Sequence, residues 1–355
     1  MLVSLLFVLF CLSDWLLLRI LPHLQLSFAP AVGLPLTVSL LVRSGVFAAL
    51  SGAVLLTRQR GRDAGGVQYG RVRTSRPAVS LFLLLNLGFS LVQVDAYVVE
   101  PLLVETTEVR LEYKELDPAL PPVRLVQITD THVERASYRE AEVVRRVNAL
   151  QPDLIVLTGD YLNLSYLHDP EAKEQFRGFV SQLEAPYGIY AVRGTVEPAP
   201  GMMAELFQDT GVVWLEQEAV TLEVRGQSLT LAGVACSHDQ EVDAARLATT
   251  LEGVPAGDLV VLLYHSPDLV LEAAARQVNL MLAGHTHGGQ IRLPVLGPVV
   301  TYSRFGRRYA AGLFWEGDMT LYVSRGLGFE GGSLPRARFL CRPEIVSIEL
   351  VGVDL

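Results

Sequence analysis

Three long apolar runs occupy the first hundred residues of the chain. They cover residues 1–21, 34–56 and 78–96, and each approaches the ~20 residues that an α-helix needs to cross a bilayer. The first run lacks a basic start and a small-residue cleavage site, which favours a retained membrane helix over a removed signal peptide. The pattern therefore predicts a membrane anchor within residues 1–100 that contains about three transmembrane helices.

Ionisable side chains interrupt the first two of these runs. Asp14 lies in the first and Arg43 in the second. A charged residue at the centre of a membrane helix costs roughly 2.5–3.5 kcal/mol on insertion scales. Asp14 and Arg43 either pair between the two helices or lie separately near an interface, and the sequence supports both interpretations equally.

The link between the second and third runs predicts the topology. It is rich in basic residues and holds a single acid, Asp63, against Arg58, Arg60, Arg62, Arg71, Arg73 and Arg76. By the positive-inside rule this link faces the cytoplasm. Whether the first run crosses the membrane or lies in its interface, the C-terminal region is then outside. We therefore predict a multi-pass cell-membrane protein with an extracytoplasmic soluble domain.

From about residue 111 the pattern changes to short apolar strands that alternate with amphipathic helices. Strands are predicted at 123–129, 154–158, 188–193, 212–215, 220–224, 229–234, 259–264, 278–283, 319–323 and 345–350. Helices are predicted at 139–150, 202–210 and 269–276, and a loop rich in Gly, Pro and Ser at 326–335. This alternation is typical of an α/β domain, which we place at residues 111–355.

Composition narrows the classes of function. The chain is 50% hydrophobic and 19% charged, which favours membrane segments. Residues 1–77 carry a net charge of +6, so about −15 of charge belongs to the remainder of a chain of net charge −9. An acidic soluble part argues against a nucleic-acid partner. Cys11, Cys236 and Cys341 form no C-x-x-C motif, and two buried free thiols at 236 and 341 are favoured over a disulfide.

Carboxylates and imidazoles stand at the ends of several predicted strands. The set comprises Asp130, His132, Asp160, His265, His285 and His287. Because strand ends converge on one rim of a sheet, residues far apart in sequence can meet there. Six such ligands are too many for one ordinary zinc site and suit two adjacent metals that share a bridging carboxylate. Sites of this composition accept Mn, Fe, Zn or Co, so two divalent metal ions are predicted without a preferred identity.

Four motifs carry a resemblance to a known family. They read ITDTH at 128–132, PDLIVLTGD at 152–160, YHSPD at 264–268 and AGHTHGGQIRLP at 283–294. In this order they resemble the calcineurin-like metallophosphoesterases, and most closely the membrane-anchored bacterial branch, over residues 111–350. The resemblance implies an α/β protein with a four-layer α/β/β/α sandwich. It also implies one metal on Asp130, His132 and His287, another on His265 and His285, and Asp160 as the bridge.

One motif departs from the family pattern. Where the family has Gly-Asn-His followed by Asp or Glu, the chain reads Gly194-Thr195-Val196-Glu197. Thr195 is a poorer ligand than Asn, and Val196 can neither bind phosphate nor protonate a leaving group. General acid catalysis contributes typically 10²–10⁴-fold, so the departure places turnover in doubt. His238 and His168 are candidate substitutes, although an ordinary surface histidine is the favoured interpretation of each.

Two hypotheses for function follow. The first is a membrane-anchored, metal-dependent phosphoesterase acting on a phosphate ester, for which the tether suggests a lipid or another cell-envelope substrate. The second is a pseudoenzyme that binds metal or ligand with little turnover. A transporter is disfavoured because three apolar runs show no inverted repeat. The basic group of Arg304, Arg307 and Arg308 either holds a phosphate or belongs to a solvated loop.

Overall fold

A computed structural model describes residues 2–26, 33–63, 76–329 and 335–354 of the chain, without the side chains of residues 57–63. The arginine-rich link at 58–75, on which the predicted topology depends, lies outside the residues whose side chains are described. The chain divides into two compact units, one that includes Met1–Val99 and another that begins at Glu100.

The first unit consists of three helices, α1 (Leu2–Ile20), α2 (Gly33–Asp63) and α3 (Arg76–Val94). Each overlaps a segment long and apolar enough to cross a membrane: Val3–Leu24, Gly33–Leu56 and Arg76–Leu102. These segments overlap the three predicted runs, and the leucine side chains that cover the helices are largely exposed. Such an apolar exterior is typical of helices surrounded by lipid.

A buried polar cluster lies among these three helices. Arg43 forms an ion pair with Asp14, with Nη2 and Nε each 2.5 Å from a carboxylate oxygen, so the paired interpretation is the one the structure adopts. The guanidinium also donates to Asn86, Ser90 and Gln93 of α3, while Ser39 donates to Asp14. An isolated charge in this surrounding would be costly, and the cluster satisfies both ions with hydrogen bonds.

The second unit contains fourteen strands and five helices within its described residues. The strands are β1 (Glu105–Tyr113), β2 (Val123–Ile128), β3 (Leu154–Leu157), β4 (Ile189–Val192), β5 (Val213–Leu215), β6 (Gln217–Val224), β7 (Gln227–Val234), β8 (Leu259–Leu263), β9 (Leu280–Ala283), β10 (Arg292–Leu293), β11 (Gly297–Pro298), β12 (Gly312–Glu316), β13 (Met319–Val323) and β14 (Glu344–Gly352). The helices are α4 (Tyr138–Ala149), α5 (Pro170–Val180), α6 (Pro200–Leu206), α7 (Gln240–Thr250) and α8 (Val270–Ala274).

These strands form two six-stranded mixed sheets and one small hairpin. The first sheet has the order β1-β14-β2-β3-β4-β5 and the second the order β12-β13-β9-β8-β7-β6. Strands β2, β3 and β4 run parallel in the first sheet, and β7, β8 and β9 run parallel in the second. The third element is the antiparallel pair β10–β11.

Apolar side chains form three buried layers. Leu125 and Val156 of the first sheet share one cluster with Leu231 and Val261 of the second, so this cluster lies between the sheets. A second cluster packs α4, α5 and α6 on the outer face of the first sheet, and a third packs α7 and α8 on the outer face of the second. The result is the predicted α/β/β/α sandwich.

The predicted elements recur with boundaries that differ by a few residues, and six elements were not predicted. Strand β1 was missed because it is an edge strand whose exposed side chains are three Glu and one Arg, so its apolar pattern is weak. The two-residue strands β10 and β11, strand β12 and helices α5 and α7 were also missed. Both helices begin at an aspartate, Asp169 and Asp239, whose carboxylate accepts the first backbone N–H groups of the helix. Cys236 and Cys341 are buried free thiols, as favoured.

Candidate metal centre

Loops at the carboxyl ends of four parallel strands supply the candidate ligands. Asp130 and Asp160 follow β2 and β3 of the first sheet by two or three residues. His265 and His285 follow β8 and β9 of the second sheet by two. The Gln127 side chain joins the sheets here by donating to the Ala283 carbonyl at 3.0 Å. Two rigid sheets thus bring their loops to one place.

Backbone hydrogen bonds fix these loops to one another. The amide of Asp130 donates to Gly159 and that of His132 to Asp160, which joins the first two loops. Gly159 has φ +98°, and a Cβ there would lie 2.6 Å from Gly194 Cα and 2.7 Å from His265 Nδ1. Only glycine fits at this crossing of three loops.

Five of the six candidate ligands adopt a left-handed backbone conformation. The φ angles are 49° at Asp130, 41° at His132, 55° at Asp160, 68° at His285 and 50° at His287. Positive φ is uncommon for residues other than glycine and costs of order 1–3 kcal/mol when the surrounding structure enforces it. Such a concentration of strained residues is typical of a functional site, and it marks these five positions independently of their chemistry.

The six side chains form two groups of ligand atoms. Asp130, His132 and His287 make one group and Asp160, His265 and His285 the other, with the candidate atoms of each group within 4.8 Å of one another. His287 Nε2 lies 3.3 Å from Asp130 Oδ1 and 3.1 Å from His132 Nε2. The sequence grouping by resemblance has the same membership, with Asp160 as the bridge.

Asp160 lies between the two groups. Its Oδ2 is 3.1 Å from His265 Nε2 and 3.8 Å from His132 Nε2, so one carboxylate oxygen faces an imidazole of each group. Nδ1 of His265 lies 2.7 Å from the Thr158 carbonyl, and an N–H there leaves the lone pair on Nε2. Such a second hydrogen bond is the usual means of orienting a metal-binding histidine.

Burial and neighbouring charges shift the pKa values of these groups. Burial raises the pKa of Asp130 to about 6, and His265 only partly offsets it. For Asp160 burial acts in the same direction, but His265 outweighs it and holds the pKa well below its usual range. Burial followed by His265 lowers the pKa of His285 to about 4, and burial with His132 lowers that of His287 well below its ordinary value. His285 and His287 are therefore neutral at pH 7, the form that binds metals.

The donor set fits divalent cations. The two groups together offer the oxygens of two buried carboxylates and the nitrogens of four imidazoles, a composition that suits Mn, Fe, Zn or Co. His132 Nδ1 is buried without a hydrogen-bond partner among the described residues. Buried carboxylates in close contact repel one another, and cations between them would remove that repulsion.

The altered motif packs directly on Asp160. Thr195 donates to its Oδ1 through the amide at 2.7 Å, and the Thr195 hydroxyl lies 3.1 Å from Oδ2. The amide of Val196 also donates to Oδ1, at 2.9 Å, while the Val196 side chain is 8% exposed and belongs to the apolar cluster of the first sheet. The altered motif thus keeps hydrogen bonds to Asp160, but it has no titratable side chain at position 196.

Glu197 lies beside the candidate ligands although it was not among the predicted site residues. Its buried carboxylate accepts the amides of Tyr161, Gly194 and Asp160, at 2.7, 3.0 and 3.2 Å. Burial, reinforced by the charge of Asp160, raises the pKa of Glu197 to about 7. In the sequence, the one feature that pointed to Glu197 is its position three residues after Gly194, the glycine that follows strand β4.

Arg338 was also missed. Its fully buried guanidinium donates to the carbonyls of Gly326, Gly328, Arg325 and Cys341. These bonds fix the start of the loop predicted at 326–335, of which residues 330–334 lie outside the described chain. A Cβ at Gly326 would lie 2.6 Å from Asp130 Cβ, so this loop does border the candidate ligands.

The other candidate residues, two histidines and a basic group, lie at different distances from the candidate ligands. His238 is exposed in the loop after β7, and its ring centroid lies 6.4 Å from that of His285. His168 is exposed on the loop before α5. Arg304 and Arg308 form ion pairs with Glu272 and Glu316, which supports the solvated-loop interpretation of that basic group.

Comparison with known proteins decides the family. The model for calcineurin-like phosphoesterases matches residues 123–289. A Bacillus subtilis protein named uncharacterized metallophosphoesterase YkuE is 30% identical over 270 residues, which cover 72% of this chain and 88% of YkuE. The chain belongs to the calcineurin-like phosphoesterase family. Members of this family are metal-dependent phosphoesterases, and this member adds three N-terminal helices long and apolar enough to cross a membrane.

Two further relatives within the calcineurin-like phosphoesterases bear names that refer to lipids or membranes. One is the UDP-2,3-diacylglucosamine pyrophosphatase LpxG of Chlamydia trachomatis, 25% identical over 69% of this chain and 89% of LpxG. The other is the transmembrane protein with metallophosphoesterase domain of Bos taurus, 28% identical over 78% of this chain and 63% of that protein. The three long apolar helices together with the transmembrane relative indicate a membrane protein.

Proposed function

We propose that the protein is a membrane-anchored hydrolase of phosphate esters whose metal centre is formed by Asp130, His132, Asp160, His265, His285 and His287. The observation that carries the proposal is the convergence of these six side chains in two buried groups joined by Asp160. Its soluble domain, residues 111–355 with the preceding part of β1, acts outside the cytoplasm, an orientation supported by the arginine-rich link before α3.

Divalent metal ions held by the two groups would activate a water molecule and stabilise charge on the transferring phosphoryl group. The role of the protein is to position them: Asp160 spans both groups, and the amides of Thr195 and Val196 orient its carboxylate. The Thr158 carbonyl and the adjacent strand ends keep His265 directed at the same point. Substrate class is a phosphate ester, and the tether together with the LpxG relative favours one carried by a lipid.

The leaving oxygen needs a proton that Val196 cannot supply. His238 is the exposed imidazole whose ring lies next to that of His285, at 6.4 Å between centroids. Imidazole can hold and release a proton near neutral pH. We therefore assign proton donation to His238 and leave His168 as a surface histidine.

The proposal is tested with the full chain in detergent by hydrolysis of an aryl phosphate monoester and diester with Mn²⁺ added. Asp160→Asn should lower turnover by at least about 100-fold, because it removes the bridging charge. Glu218→Gln, an exposed acid on β6, is the matched control and should keep the wild-type rate. A wild-type protein that retains metals but hydrolyses neither ester would support the pseudoenzyme instead, which the buried Val196 favours.

A further inference from the structure

The hairpin β10–β11 and the segment after it expose a dense group of apolar side chains. Val295 and Leu296 at the tip are 105% and 62% exposed, and Leu293, Val299 and Val300 are about half exposed. Scattered apolar residues are normal on a protein surface, but a contiguous group of this kind marks an interaction site. We call residues 293–300 the apolar tip.

The backbone conformation of Val295 also indicates that the apolar tip is an interaction site. Its φ is 68°, in the left-handed region that a β-branched side chain adopts only with strain. A turn at this place would be more stable with Gly or Asn, and the side chain packs on nothing in the described chain. For folding alone, a smaller polar residue would therefore serve at least as well as this strained, solvent-facing valine.

The charge around the apolar tip is opposite to that of its domain. Residues 272–316 contain five arginines and two glutamates, Glu272 and Glu316, which pair with Arg304 and Arg308. Their net charge is therefore +3, although residues 78–355 together carry about −15. Exposed Arg307 donates from Nη1 to the Leu296 carbonyl at 2.9 Å, which keeps a cation beside the tip. Apolar side chains flanked by arginine match the chemistry of a lipid surface with anionic headgroups.

The apolar tip also adjoins the candidate metal centre. The hairpin follows His287 after five residues, and a Cβ on Gly289 would lie 3.0 Å from Pro298 Cα. At the other end, the Tyr302 ring lies 6.2 Å from the ring of His285, between centroids. A surface to which the apolar tip binds would therefore lie close to the candidate metal centre.

We propose that the apolar tip docks on an anionic bilayer surface, with Val295 and Leu296 inserted below the headgroups and Arg307 at the level of their phosphates. The occupant is a bilayer because the chain also carries three helices long and apolar enough to cross a membrane. Docking does not depend on turnover. Its consequence for substrate choice, a phosphate ester presented from the lipid surface, rests on the proposed function.

Docking is measured by fluorescence quenching on the full chain in nanodiscs. Val295→Cys is labelled with an environment-sensitive fluorophore in a Cys11→Ala background, because the other two cysteines are buried. The quencher is a lipid whose nitroxide lies about 5–10 Å below the headgroup, the depth of interfacial apolar residues. The matched control carries the label at Tyr138→Cys, which is 67% exposed at the start of α4.

In discs containing phosphatidylglycerol we expect the label at 295 to lose about half its emission and the label at 138 about a tenth or less. Quenching should weaken in discs of phosphatidylcholine alone and in Arg307→Glu, because the electrostatic attraction is lost. Equal quenching at 295 and 138 overturns the proposal. So does a label at 295 that is unquenched but shifts its emission with protein concentration, since the tip then contacts a second copy. Neither readout requires hydrolysis, so failure of docking is separate from failure of the proposed activity.

Discussion

The hydroxyl of Thr195, at the position where the family pattern given above has asparagine, lies 3.1 Å from Oδ2 of Asp160. A hydroxyl there can orient the carboxylate, but it is a weak ligand for a cation. The next residue, Val196, adds an amide hydrogen bond to Asp160 while its side chain packs in the apolar layer. The chain thus keeps the scaffold of this motif and lacks its two reactive side chains.

Restoring the motif should restore its chemistry. We expect the double substitution Thr195→Asn and Val196→His to raise kcat for an aryl phosphate ester by about 10²-fold, the lower end of the range for a general acid. The control is Val196→Leu, which changes volume without adding a proton donor. An unchanged kcat in a folded, metal-loaded double variant would show that this chain no longer uses a donor at 196.

His238 should supply the proton in the natural chain. We expect His238→Ala to lower kcat by about 10²-fold, because the exposed proton donor beside the candidate metal centre is removed. Metal content measured by mass spectrometry should stay the same. His168→Ala is the matched control, since that histidine is also exposed in a loop. A loss confined to KM, with kcat unchanged, would assign His238 to binding alone.

Glu197 should act through the backbone around Asp160. Glu197→Gln replaces one accepting oxygen by an NH2 group. At the Oε1 position this group cannot accept the amide of Tyr161, and at the Oε2 position it cannot accept those of Gly194 and Asp160. We expect the free energy of unfolding to fall by about 1–3 kcal/mol and metal affinity by about 10–100-fold. Thermal unfolding with and without added Mn²⁺ measures both, and Glu218→Gln provides the comparison. Equal losses in the two variants would show that the buried carboxylate has no such role.

The location of the candidate site at strand ends could be predicted, because an apolar strand followed by Asp or His is recognisable in the sequence. Strand β1 could not, because it is an edge strand whose exposed side chains are Glu and Arg, which are also common in loops. The left-handed φ of His285 and His287 could not be predicted either, since among side chains only that of proline fixes φ and residues other than glycine rarely adopt positive values. The apolar tip overlaps the recognised motif at 283–294 only in residues 293 and 294, and its exposure depends on tertiary packing.

The sequence left the interpretation of Asp14 and Arg43 open for a related reason. Hydropathy gives the depth of a residue along one helix but not its rotation, so it cannot decide whether two ions face each other. The structure brings them together and adds Asn86 and Gln93 of α3 as partners of the guanidinium. Replacing either Asp14 or Arg43 alone would therefore leave the other as a buried charge without a counter-ion.

Removing one member of this ion pair should destabilise the helices more than removing both. We expect Arg43→Leu to lower the free energy of unfolding by about 3–5 kcal/mol, because Asp14 then remains buried without a counter-ion. The double variant Asp14→Leu with Arg43→Leu should lose less than Arg43→Leu alone, since the uncompensated carboxylate is gone. Unfolding of the full chain in detergent by increasing denaturant provides the measurement, with exposed Ser13→Ala as the control. Additive effects of the two substitutions would show that Asp14 and Arg43 do not stabilise one another, and that the other hydrogen bonds of the cluster hold the three helices.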